Sequence, residues 1–337
     1  MRASGAQEIK LGQTTHCLIY KNKMPGPACE LGMGRRRLID LSEGTVVQAG
    51  VKLFRGFLPS QPPSPSPPPP SQPAIAGQDP HFHFAHGGQA DFRGRNSTMY
   101  AFFSAPGLAV NIKTEDASFR FFKNGWLTVH GSFITEAHLV ALVGNAPRLK
   151  FANVSFWASE LNDDNWGWRI VTGTCGGHAF KLGKGGLKKC YELAVEVDMA
   201  SATFTIRDWT VVVHGNHVFN RLSGPQHRLD LTFNARGDVA ARALPHGLIG
   251  QSYSSAAPRH GRQDEYPDGS NTGEPVAFTT SAMAEGAIEG EAAMYEVPSA
   301  HATEFVFSRF FQEELPEPLP DLLGGGGDAS SIEVQSR

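Results

Sequence analysis

Three histidines in one short run, His81, His83 and His86, form the densest set of metal-capable side chains in the chain. On a strand, residues i and i+2 point to the same face, so His81 and His83 can present two imidazole nitrogens to one ion. Zinc accepts such nitrogens in a tetrahedral set and takes a further ligand from elsewhere, with His86 the nearest candidate. A water on that zinc would have its pKa pulled towards neutrality, the chemistry of a hydrolase or a lyase. The competing reading gives His81 a structural role where the strand opens. Other catalytic signatures are missing: there is no Gly-x-Ser-x-Gly, no Walker loop and no Rossmann fingerprint. Residues 183–189, GKGGLKK, are glycine-rich and basic but lack phosphate-loop spacing. Arg236-Gly237-Asp238 matches an integrin-binding tripeptide and also reads as a plain turn before Val239. Asn96-Ser97-Thr98 and Asn153-Val154-Ser155 are N-glycosylation acceptors if the chain is secreted.

The four cysteines have no metal-knuckle spacing. Cys17 and Cys29 lie near the N-terminus, whereas Cys175 and Cys190 bracket a glycine-lysine loop. A Cys175–Cys190 disulfide would stabilise the fold by roughly 3 kcal/mol; the alternative is a pair of free thiols.

The elements that must position these groups read as strands. The chain has 337 residues, 40% of them hydrophobic, with 37 glycines and a formal charge of -3. That balance argues against a general binder of nucleic acid or anionic membrane, which needs a basic face. No apolar run reaches the roughly 18–20 residues of a membrane span. Nine of the 23 prolines fall within residues 59–73, a polyproline linker expected to form a stiff, solvated stalk. Residues 1–58 precede it as a poorly ordered segment with a basic cluster, Arg35–Arg37, and no continuous apolar leader. From residue 74 to 312, short β-branched and aromatic runs recur about every ten residues, and in YELAVEV (191–197) Tyr191, Leu193, Val195 and Val197 are expected to face one way and Glu192 and Glu196 the other. Residues 126–133 and 137–143 read as two strands, 202–213 as one run and 304–311 as a last strand. Residues 282–294 form a candidate short helix, weakened by Gly286 and Gly290. Residues 313–337 are an acidic, glycine-rich tail expected to be disordered. The expectation is an all-β, sandwich-like domain with a stalk before it and a tail after it.

Two elements give this pattern a family resemblance. The first is Gly77-Gln78-Asp79-Pro80-His81, followed by Asp91-Phe92-Arg93-Gly94 and by Tyr100-Ala101-Phe102. The second is His246-Gly247-Leu248-Ile249-Gly250-Gln251. Together they resemble the von Willebrand factor type D family in its broad sense, closest in style to plant root-cap and late-embryogenesis-like proteins and to inter-alpha-trypsin inhibitor heavy chains. The resemblance implies a D-type β domain, in which Asp79, Pro80, His81, Asp91, Gly94, His246, Gly247, Gly250 and Gln251 are the motif residues. It also implies a calcium site, for which Asn162, Asp163, Asp164 and Asn165 are the candidate oxygen donors; calcium wants six to eight oxygens, and a solvated Asx turn is the competing reading. This stretch has two cysteines where D domains have many, so disulfide-linked multimerisation is not carried over. His-Phe-His-Phe is also similar to the zinc strand of α-type carbonic anhydrases, with Glu136-Ala137-His138 similar to their third-ligand strand, but the interval from His83 to His138 is too long for that pattern.

These readings lead to a non-catalytic structural or adhesive module, extracellular or wall-associated, that binds a glycan or a matrix protein, with calcium its candidate cofactor. The alternatives are a zinc-dependent lyase or hydrolase built on the histidine run, and an intracellular scaffold whose polyproline segment recruits partners.

Overall fold

The computed structural model describes residues 3–11, 14–21, 72–121, 127–165, 167, 170–267 and 276–313. The chain divides into two compact units, Met1–Ser66 and Pro67–Arg337. In the first, β1 (Ala3–Leu11) and β2 (Thr14–Lys21) pair as an antiparallel hairpin. Cys29, Arg35–Arg37, linker residues 59–71 and tail residues 314–337 lie outside the described residues.

The second unit is all-β, with two eight-stranded sheets. The first contains β6 (Thr98–Ala105), β7 (Leu108–Arg120), β8 (Leu127–Val143), β9 (Lys150–Trp157), β10 (Val171–Cys175), β11 (His178–Leu182), β16 (Arg221–Ser223) and β18 (Val276–Thr279). The second runs β12 (Leu187–Cys190), β13 (Leu193–Val197), β14 (Ser201–Ile206), β15 (Trp209–His217), β17 (His227–Ala235), β3 (Ala74–Gly77), β4 (His81–His83) and β5 (Gln89–Asp91) in that spatial order. Among the described strands every ladder is antiparallel except that of β18 on β8. Among the described residues no helix is long and apolar enough to cross a membrane.

Strict alternation in the sequence produces the inner faces. Val195 and Val197 of β13, Phe204 and Ile206 of β14, and Val211 and Val213 of β15 are buried, as are Leu139, Ala141 and Val143 of β8. They share one apolar core. Phe103 of the first sheet stacks on Phe233 of the second, with ring centroids 5.2 Å apart. Cys175, ending β10, is bonded to Cys190, ending β12, so the disulfide joins the two sheets across 6.0 Å between Cα atoms.

The opposite face of β7–β9 is also covered. Phe310 packs on Ala109 and Val140, and Asn111 donates to the carbonyls of Ala300 and Ala302. Beneath them His138 Nδ1 lies 2.8 Å from Ser155 Oγ and its Nε2 2.9 Å from Glu136. The hydrogen bond from His138 outweighs burial and, with Lys113, holds the Glu136 carboxyl down at about 2. Ser155 Oγ also meets His301 and is buried. This set therefore seals the covering segment onto the sheet.

Four local expectations are corrected. Residues 127–133 and 137–143 belong to the single strand β8, because Thr135 is an extra residue bulging opposite the Lys113–Thr114 step, which shifts the alternation without ending the strand; residue 126 lies outside the described residues. Residues 202–213 are two strands folded at Arg207–Asp208. Residues 304–311 form turns: Phe305 and Phe307 pack around Tyr295, while Phe310 packs on Ala109 and Val140 of the sheet face, so their apolar character serves cover. Residues 282–294 make turns and end in a 3-10 turn at Ala292–Tyr295, since Ala284, Gly286 and Gly290 all take positive φ, which no α-helix admits.

Candidate functional site

The Asp-Pro-His opening places His81 at the start of β4, facing Asp91 at the end of β5. His81 Nδ1 lies 2.6 Å from Asp91 and Nε2 3.1 Å from Asp79. Burial alone would lower the imidazole pKa, but hydrogen bonds and charge from Asp79 and Asp91 overcome it and raise it to about 10. His81 is therefore an imidazolium at neutral pH, with a proton on each nitrogen and no lone pair for a metal. The Tyr266 hydroxyl donates to Asp79, and the Asp264 amide donates to Asp91, 2.7 Å away. The clamp thus ties the loop at residues 264–266 to the strand opening. His83 pairs with Ile75 and Gln89 along the ladder and His86 sits in the following turn, so the histidine run does not assemble a zinc set. Ala85 is buried, off the exposed face that His83 occupies.

The other motif residues also have structural work. Gly94 lies so close to β7 that a Cβ would sit 2.2 Å from Thr114 Oγ1. Gly247 combines a φ of +102° with a would-be Cβ 2.6 Å from the Phe102 carbonyl oxygen, so only glycine fits. A Cβ on Gly250 would press on Phe103 at 3.0 Å. His246 is stacked on Phe307 and bonded to Glu289, and burial keeps its pKa below the ordinary value despite that carboxylate. Gln251, buried, donates to the Gly247 carbonyl and the Tyr295 hydroxyl, and accepts from the Glu289 amide and Arg259.

In the run proposed for calcium, Asn162 is buried and its oxygen accepts the amides of Asp164 and Asn165. Its nitrogen donates to the carbonyls of Ala158 and Ser159. Asn165 is likewise engaged with Glu160 and Gly167. Both amides are spent on shaping the loop, as the competing Asx-turn reading has it, while Asp163 and Asp164 face outward. Asp164 meets His217 and His227, two histidines that no sequence motif links to it.

A depression of about 380 Å³ opens where the ends of β7 and β8 meet the turn after β15 and the turn between β3 and β4. Phe119, Phe121, Phe133 and Phe219 give it aromatic walls, and Arg120, Asn220 and Arg228 add polar groups. Phe119 and Phe133 pack together at 5.2 Å, with the Arg228 guanidinium over Phe133. Phe219 is 76% exposed at the rim. A polar cleft of about 450 Å³, lined by His81, Asp91, Asp230, Asp264 and Tyr266, shares Gln78 with it. These aromatic residues span a hundred positions and carry no local motif.

Asn96 stands in an exposed turn, with its side-chain oxygen accepting the Asp116 amide. Asn153 lies mid-strand in β9, and its oxygen accepts both the amide and the hydroxyl of Thr174. Arg236-Gly237-Asp238 forms the turn into a short helix, α1 (Val239–Ala243). No protein-family model matches the chain, and a search of curated proteins finds no match.

Proposed function

We propose that the second unit is a non-catalytic glycan-binding module of D-like type, working outside the cell or in a cell wall. The observation that carries this reading is the open depression with aromatic walls and an exposed Phe219 at its rim. A sugar ring presents an axial C–H face that packs on an aromatic face, and hydroxyls that need donors and acceptors at its edge. Phe219 offers the first, and Arg120, Asn220 and Gln78 offer the second. An inter-sheet disulfide suits an oxidising compartment. His81, locked between two carboxylates, is withdrawn from zinc chemistry.

The test is titration of the full chain with a panel of neutral and uronate-containing polysaccharides, followed by Phe219→Ala. Loss of that exposed ring should weaken binding by about tenfold or more without altering the far-UV circular dichroism. Phe311→Ala removes a comparably exposed ring in the C-terminal segment and should leave affinity unchanged. Binding that is indifferent to Phe219, or absent across the panel, would overturn the reading.

A further inference from the structure

We propose that Asp164, His217 and His227 form a site for one divalent transition-metal ion of the zinc type, at the edge where β15 ends and β17 begins. Among the described residues this is the single set of three such side chains whose donor atoms converge, all within 4.8 Å of one another. Asp164 Oδ2 lies 3.1 Å from His227 Nε2 and 3.6 Å from His217 Nδ1. Zinc bonds of about 2.0–2.1 Å at tetrahedral angles place neighbouring donors about 3.3 Å apart, so both distances from the carboxylate oxygen already come close to an edge of one coordination tetrahedron.

The arrangement is held by the fold. His217 and His227 are direct cross-strand partners, the last pair of the β15–β17 ladder, and their rings lie 5.3 Å apart. Asp164 comes from the loop after β9, and its amide is fixed by buried Asn162. That loop lies directly on β15: a Cβ on Gly215 would fall 1.5 Å from the Leu161 carbonyl oxygen. Glycine two positions before His217 thus lets the carboxylate reach the histidine pair. Exposure falls from 66% for the Asp164 side chain to 40% for His217 and 11% for His227, leaving a fourth coordination position open to water. Two imidazole nitrogens and one carboxylate favour zinc over calcium, which takes oxygen donors. The carboxylate also neutralises part of the ion's charge. The inference does not depend on glycan binding.

The experiment uses tag-free full-length protein, dialysed against zinc and then against metal-free buffer, with bound zinc counted by elemental analysis. The wild type should retain about one more zinc per chain than His217→Gln/His227→Gln, and millimolar calcium should not displace it. Asp164→Asn, at a solvent-exposed position, should weaken zinc binding at least tenfold while the circular dichroism is unchanged. Cobalt(II) should give visible d–d absorption in the wild type that the double variant loses. Equal zinc content in the wild type and the double variant, or displacement by calcium, would overturn the proposal. Phe311→Ala should keep its zinc, and glycan affinity is scored separately on Phe219→Ala, so failure of either reading leaves the other standing.

Discussion

With Asp79 on one ring nitrogen and Asp91 on the other, His81 keeps its charge far above the usual imidazole range. The unfolded chain releases that proton near 6.5 and the folded chain near 10. Between those values the native state holds a proton that the unfolded state has lost, so stability falls as pH rises. The full contribution is present below about 6.5 and is gone above about 10. Urea unfolding at pH 6, 8 and 10 should show this decline, and His81→Gln should flatten it. That substitution should cost about 3 kcal/mol at pH 6, because two mostly buried carboxylates lose their counter-charge. A second residue-scale expectation concerns the sequons. Produced in a glycosylating secretory host, the protein should carry glycan at Asn96, in its exposed turn, and none at Asn153, whose side chain is held within the sheet by Thr174. Intact mass should therefore drop by a whole glycan with Asn96→Gln, whereas Asn153→Gln should add only the methylene of the substitution itself.

Among the elements, the disulfide makes the plainest claim. It closes a separation of 15 residues and links strands of different sheets. Cys175→Ser/Cys190→Ser should lower unfolding stability by about 3 kcal/mol, read from full denaturation curves with the slope fitted separately for each protein. Most strands were legible because one buried face imposes period-two alternation, as along β13, β14 and β17. Legibility failed where composition and role part. The phenylalanine run at 304–311 has strand composition, yet its rings cover a sheet instead of extending one. Tyr191, in phase with Leu193, sits instead in a turn at φ +56° and is 58% exposed. In β8, one bulged residue made a 17-residue strand read as two. Of the candidate sites, only the Asp79–His81–Asp91 clamp was visible as a motif. The aromatic depression and the Asp164–His217–His227 set draw on residues far apart in the chain, which only the strand order brings together.

At the scale of the whole molecule, ligand-capable features gather on shared structure. His217 stands two residues before Phe219, with ring centroids 5.3 Å apart, so the rim of the depression and the histidine pair belong to one turn. Sheet topology has a further consequence for how this protein is made. β3 sits between β17 and β4, and its ladder joins Ala76 to Leu231, about 155 residues later. At about 5–20 residues per second, the β3–β5 meander waits on the order of 10–30 s after emerging before its partner strand is synthesised. For that interval the edge of β3 that will pair with β17 stays open, although Phe82 and Phe92 meet Phe102 and Tyr100 of β6, a strand made soon after them. The nascent chain therefore carries an unpaired strand edge early and for long, open to pairing with another chain until β17 arrives.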